Sequence, residues 1–135
     1  MTTDTLRMIT TALALAAGAI LGAALRYGVG LWATERLGSG FPYGTLIVNL
    51  VGSVVLGAFA GFVARHPDVD AAWRLFIATG FCGSLTTFST LSLETVALFE
   101  RGHYWSGALN AFGSLGLGLL AIVFGMNLSR VLFPG

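Results

Sequence analysis

Charged residues punctuate this chain at wide intervals, and four charge-free apolar stretches lie between them: Met8 to Leu25, Leu37 to Ala64, Leu75 to Leu93 and Tyr104 to Ser129. Each meets or approaches the roughly 20 residues that an α-helix needs to cross the hydrocarbon core of a bilayer. The pattern predicts an all-α integral membrane protein with spans over about 9–31, 43–64, 73–99 and 104–129, a single four-helix transmembrane domain over residues 1–135. Gly38, Ser39, Gly40 and Pro42 break the first connection. The second, Arg65 to Arg74, holds His66, Pro67, Asp68 and Asp70 and reads as a solvated loop. Arg7 ahead of an Ala-rich run gives the first window some likeness to a secretory signal. Its Gly18 and Gly22, a spacing suited to close helix packing, favour a retained first helix, and no stretch is left for a soluble domain.

Polar positions inside the windows follow helical spacing. Gly18, Gly22 and Arg26 share one face of the first helix, and Gly57 and Gly61 repeat the small-residue spacing in the second. In the fourth, Asn110 and Ser114 lie one turn apart, with Gly118 a further turn on. The third window departs from this order. Gly80, Gly83, Ser84, Thr86 and Thr87 combine permissive backbone with hydroxyls that compete for backbone hydrogen bonds, which predicts a helix broken at mid-membrane. Broken helices at membrane depth usually bind something.

Composition narrows the function. With 56% hydrophobic and 10% charged residues, the chain has too little polar surface for a soluble domain of its size. A net charge of +1 gives no nucleic-acid footprint, and the single cysteine, Cys82, excludes an intramolecular disulfide. His66 and His103 have no second histidine or acid at ligand spacing, which argues against a side-chain metal site. The spans hold no His, Lys or Asp to activate a nucleophile, so an enzyme is not expected. For alternating helices, Arg7, Arg65, Arg74 and Arg130 fall on one side of the membrane and Arg26, Arg36 and Arg101 on the other. That near balance gives the positive-inside rule little to act on, and it favours two oppositely oriented copies pairing as an antiparallel homodimer.

The spans do offer neutral hydrogen-bond donors: Asn49, Ser84, Thr86, Thr87, Ser89, Thr90, Asn110 and Ser114. Such groups replace the hydration shell of a small anion without trapping it by a full charge. Phe88 stands among them, and an aromatic edge is electropositive. Together these favour anion permeation over a cation pump. Three residues keep two readings each. Arg26 either snorkels to headgroups or serves an anion-accessible vestibule, Asn49 either bonds between helices or faces a pore, and Glu94 either reaches interfacial water or forms a proton or cation site.

The segments GAALRYGVG, GTLIVNLVGSVVLG and GFCGSLTTFSTLSLE, with the Ser114 to Gly125 pattern, resemble the small bacterial fluoride channels of the Fluc (CrcB) family along nearly the whole chain. The resemblance implies a dual-topology antiparallel homodimer in the bacterial cell inner membrane. Its two pores would pass fluoride passively out of the cytoplasm and give fluoride resistance. It implies pore roles for Asn49, Phe88, Ser89, Thr90 and Ser114, and it matches Arg26 and Glu94 to family positions. It further implies a structural sodium ion, Na+, at the dimer interface, held by the backbone carbonyls of Gly83 and Thr86 from each copy. Three positions depart from the family: Leu91 replaces a second pore phenylalanine, Asn110 a tyrosine, and Gly118 a serine found in some members. Asn110 would then act as a donor beside Phe88. The alternative is a proton-coupled small multidrug-type exporter, which needs an acid in its first span; a structural subunit of a larger complex is a third class.

Overall fold

The structure, a computed structural model, describes residues 2–134. Among these residues four helices are long and apolar enough to cross a membrane: α1 (Thr3–Leu37), α2 (Tyr43–Arg65), α3 (Ala71–Glu100) and α4 (Tyr104–Leu132). Side-chain caps open α1 and α3, and α1 outruns its charge-free window at both ends. Thr2 Oγ1 accepts from the Thr5 amide at 3.3 Å, and Gly38, at φ 83°, turns the chain where an L side chain would be strained. Asp70 opens α3 by accepting from the Ala72 amide at 2.7 Å. Arg74 then folds back over the loop, its Nε donating to the Val69 carbonyl at 3.0 Å and its Nη2 to that of Pro67 at 2.6 Å.

Lipid tails are as apolar as leucine, so helices in a bilayer associate through close packing instead of water exclusion. Two glycine seams achieve this. Along α1 and the start of α3, a Cβ at Gly18 would lie 2.9 Å from the Phe81 amide and closer still to the Phe76 carbonyl. Gly80 answers from α3, where a Cβ would lie 2.6 Å from the Leu15 carbonyl. Along α2 and α4, side chains at Gly57 and Gly125 would run into the carbonyls of Ile122 and Val54. Backbone therefore meets backbone at both seams. Beyond the second seam, Arg65 donates from Nη2 to the buried Ser129 hydroxyl.

Little is buried within one chain: Ala33, Val48, Cys82, Leu85 and Leu98 form its apolar core. Ile20, Leu21, Leu119, Leu120 and Phe124 face outward, as side chains solvated by lipid should. Trp32, Tyr43, Tyr104 and Trp105 are exposed near one end of the bundle and Trp73 and Phe133 near the other, the disposition of interfacial aromatic belts. Two stretches, Leu75–Cys82 in α3 and Leu109–Gly113 in α4, are wound as π-helix, which occurs mostly in single turns at functional sites.

The helical hydrogen bonding of α3 runs as far as the Thr86 amide, which donates to the Cys82 carbonyl at 3.0 Å, and the helix resumes at Phe88. Thr86 (φ −85°, ψ 155°) and Thr87 (φ −153°, ψ 116°) are extended between the two arms. The glycines that the sequence singles out, Gly80 and Gly83, stay helical. The first arm covers residues 71–85 and the second Phe88–Glu100.

Candidate functional site

Asn49, on α2, takes over the hydrogen bonds that α3 gives up. Its Oδ1 accepts from the Thr87 amide at 2.8 Å, and its Nδ2 donates to the Thr87 carbonyl at 3.3 Å. In a continuous helix the Thr87 amide would serve the carbonyl of Gly83, four residues back. Diverting it to Asn49 leaves that carbonyl without its helical donor. The Thr86 carbonyl likewise loses its helical partner, because the Thr90 amide bonds Thr87 Oγ1 at 3.2 Å as an N-cap. The nearest donor left to Thr86 O is Arg26 Nη1, at a long 3.5 Å.

The interruption thus presents two unlike ends. The first arm finishes in carbonyls without helical donors, a partly negative terminus suited to a cation; the second starts with the free amides of its first turn, suited to an anion. Hard monovalent cations take oxygen ligands, and the Gly83 and Thr86 carbonyls fit one. The fit needs no side-chain ligand: among the described residues no group of three His, Cys, Asp or Glu could hold a metal.

A groove of about 590 Å³ runs alongside, between α2, the second arm of α3 and α4. Asn49, Phe88, Leu91 and Ser114 line it together with Ser53, Thr95 and Gly118, and no charged residue does. Phe88 is 81% exposed within the single chain, so its ring is held by neither arm of its own α3. A second cavity, of about 460 Å³, lies toward the α1 C-terminus and gathers Arg26, Thr45, Thr90 and Glu94. Thr45 Oγ1 donates to Glu94 Oε1 at 2.8 Å, while Oε2 is buried with no partner among the described residues. Ser89 is exposed on the first turn of the second arm, its Oγ 3.3 Å from Thr87 Oγ1, and lines neither space.

Asn110 is placed behind the groove rather than in it. It is fully buried, and its Nδ2 donates to Thr95 Oγ1 at 3.0 Å and to the Leu91 carbonyl at 3.4 Å. Both partners lie on the second arm of α3, so the amide ties that arm to α4 and its two hydrogens are occupied. Asn110 Oδ1 and the Ser114 hydroxyl are buried without partners among the described residues. Sequence reasoning missed Thr45 and Thr95, which complete the Glu94 and Asn110 pairs. For Thr45 a signal was present: it sits one turn before Asn49 on the same face of α2.

Four apolar helices, one of them interrupted beside an uncharged groove, define a multi-pass membrane protein of the ion-transport class. Residues 13–126 match the family described as CrcB-like protein, Camphor Resistance (CrcB), and the chain belongs to that family. A protein of Rhizobium johnstonii named "Fluoride-specific ion channel FluC" is 45% identical over 121 residues, covering 90% of this chain and 97% of the relative. Proteins of the same name from Roseiflexus sp. and Acidobacterium capsulatum are 42% and 45% identical, covering 89% and 82% of this chain and 97% and 89% of those proteins.

Proposed function

We propose that the chain is a fluoride-selective channel that lets cytoplasmic fluoride leave passively through the bacterial cell inner membrane and so confers fluoride resistance. The observation that carries this reading is the groove: neutral donors and an aromatic ring line it, with no charged residue among them. Fluoride is small and a strong hydrogen-bond acceptor, so leaving water costs it dearly unless donors replace the shell. Asn49 keeps one amide hydrogen after bonding Thr87, and Ser114 keeps its hydroxyl hydrogen. Phe88 adds its electropositive edge. None of these holds a full charge that would trap the ion. Arg26, Thr90 and Glu94 form the vestibule that feeds the groove, with Arg26 drawing anions in and Thr45 holding the Glu94 carboxylate aside. Ser89 sits at the free amide end of the second arm. Asn110 contributes by position, fixing the Leu91 carbonyl and Thr95.

The groove is open on one side of a single chain, and the near-balanced arginines support an antiparallel, dual-topology homodimer in which a second copy closes it. In that assembly the α3 interruption lies at mid-membrane. The Gly83 and Thr86 carbonyls of both copies would hold the sodium ion, which supplies a fixed positive charge tying the two interruptions together. The partners are then fluoride, lipid and a second copy of the chain. Purified protein in liposomes tests the reading. It should dissipate a fluoride gradient while leaving a chloride gradient essentially intact. A strong chloride flux, or flux of a lipophilic cation as in a multidrug exporter, would sink it.

A further inference from the structure

We infer that the Ser53 hydroxyl is a further anion-binding group of the groove, supplying from α2 the donor that Gly118 on α4 lacks. The inference rests on the fluoride-channel reading and deepens it. Hydroxyls are common along the groove, but each has one hydrogen to give. Thr86 gives its hydrogen to the Cys82 carbonyl at 2.9 Å, Ser92 to that of Phe88 at 2.9 Å, and Thr95 to that of Leu91 at 2.8 Å. Thr87 gives its to Thr90 Oγ1 at 3.0 Å. Those four have nothing left to donate to an ion.

Ser53 is different. Helical serines ordinarily donate to the carbonyl three or four residues back, as Ser92 does, yet among the described residues the Ser53 hydroxyl makes no hydrogen bond. It lines the groove half-buried, one helical turn after Asn49, so α2 offers two successive free donors on one face. Across from it α4 offers Ser114 and, one turn later, only Gly118. A Cβ at position 118 would lie 3.8 Å from Ser53 Oγ, in ordinary contact, so the two positions look onto the same point of the groove. An anion passing that level meets glycine on one wall and the Ser53 hydroxyl on the other. The donor ladder therefore continues through Ser53.

The test uses the full chain reconstituted in liposomes, with fluoride efflux read by electrode at matched density of assembled protein. S53A should cut efflux at least about tenfold, the factor that about 1.4 kcal/mol of lost hydrogen bonding to the ion gives. S53C, close in volume but a weak donor, should also fall, which separates donation from packing. The double variant S53A/G118S should regain efflux to within about threefold of the parent, because a serine side chain at 118 restores a hydroxyl at that level. Parental efflux from S53A or S53C overturns the inference, and so does failure of S53A/G118S to recover while S53A remains assembled. If S53A does not assemble, S53C decides. A parent chain that carries no fluoride overturns the channel reading itself, an outcome visible before any variant is compared.

Discussion

Replacing Asn49 by leucine probes the side chain that takes up both backbone groups of Thr87 at the α3 interruption. The change keeps side-chain volume but removes two hydrogen bonds, to the Thr87 amide at 2.8 Å and the Thr87 carbonyl at 3.3 Å. Hydrogen bonds between membrane helices are worth about 0.6 kcal/mol on average and up to about 1.7, so the pair contributes about 1–3 kcal/mol. Two responses are open to the chain. Either Thr87 stays extended with both backbone groups unpaired, or its amide returns to the Gly83 carbonyl and the helix heals. Both disturb the carbonyl set proposed for sodium, the first by loosening it and the second by occupying it. The expected result for Asn49→Leu is a lower unfolding temperature in detergent, loss of fluoride efflux, and loss of the stabilisation that the proposed sodium site should give the parent in sodium chloride over N-methylglucamine chloride. Asn49→Asp keeps the acceptor for the Thr87 amide but sets a carboxylate against the Thr87 carbonyl. It should lose less stability than leucine yet conduct no better, since its charge repels fluoride. An Asn49→Leu protein that melts like the parent and keeps its sodium dependence would refute the reasoning.

Phe88→Ile should cut fluoride efflux severely if the aromatic edge assists the ion, whereas Leu91→Phe should preserve or raise it; comparable, modest effects at matched density would mean both positions only fill space. Gly18→Ala should destabilise the bundle by about 1–3 kcal/mol, read as a lower unfolding temperature, because its methyl would press on the Phe76 and Phe81 backbone. The same substitution at Gly28, where the added Cβ would meet nothing within 4 Å outside its own turn of helix, should be nearly silent and serves as the control.

The four helices were legible because charge-free length is a one-dimensional property, and the glycine pairs were legible because helical spacing puts them on one face. The exact-looking signal at Gly80 to Thr87 was only regional. Glycine and hydroxyl content marks backbone that can leave a helix, but which residues do leave was decided by Asn49, on another helix, reaching Thr87. The site shows the same division. Asn49 and Phe88 were identifiable as odd residues in apolar surroundings, whereas the Thr45 to Glu94 and Asn110 to Thr95 bonds join different helices and leave no local trace. Asn110 in particular reads as a donor from its chemistry alone. Its hydrogens are committed only because the fold brings Leu91 and Thr95 to it. Ser53 was passed over for the opposite reason, since an isolated serine in an apolar helix ordinarily satisfies itself on its own backbone.

The glycine seams also bear on how the chain enters a membrane. Contacts of backbone on backbone fix no side-chain rotamers and contain no charge, so nothing in them senses which compartment lies above or below. Their strength is the same whichever way the chain is threaded. Direction must come from outside the seams, and the arginines divide four against three between the two halves of the bundle. If the chain inserts both ways as proposed, one basic residue added or removed at a loop, far from any packing contact, would therefore tilt the proportion of up and down copies while leaving each copy's fold untouched.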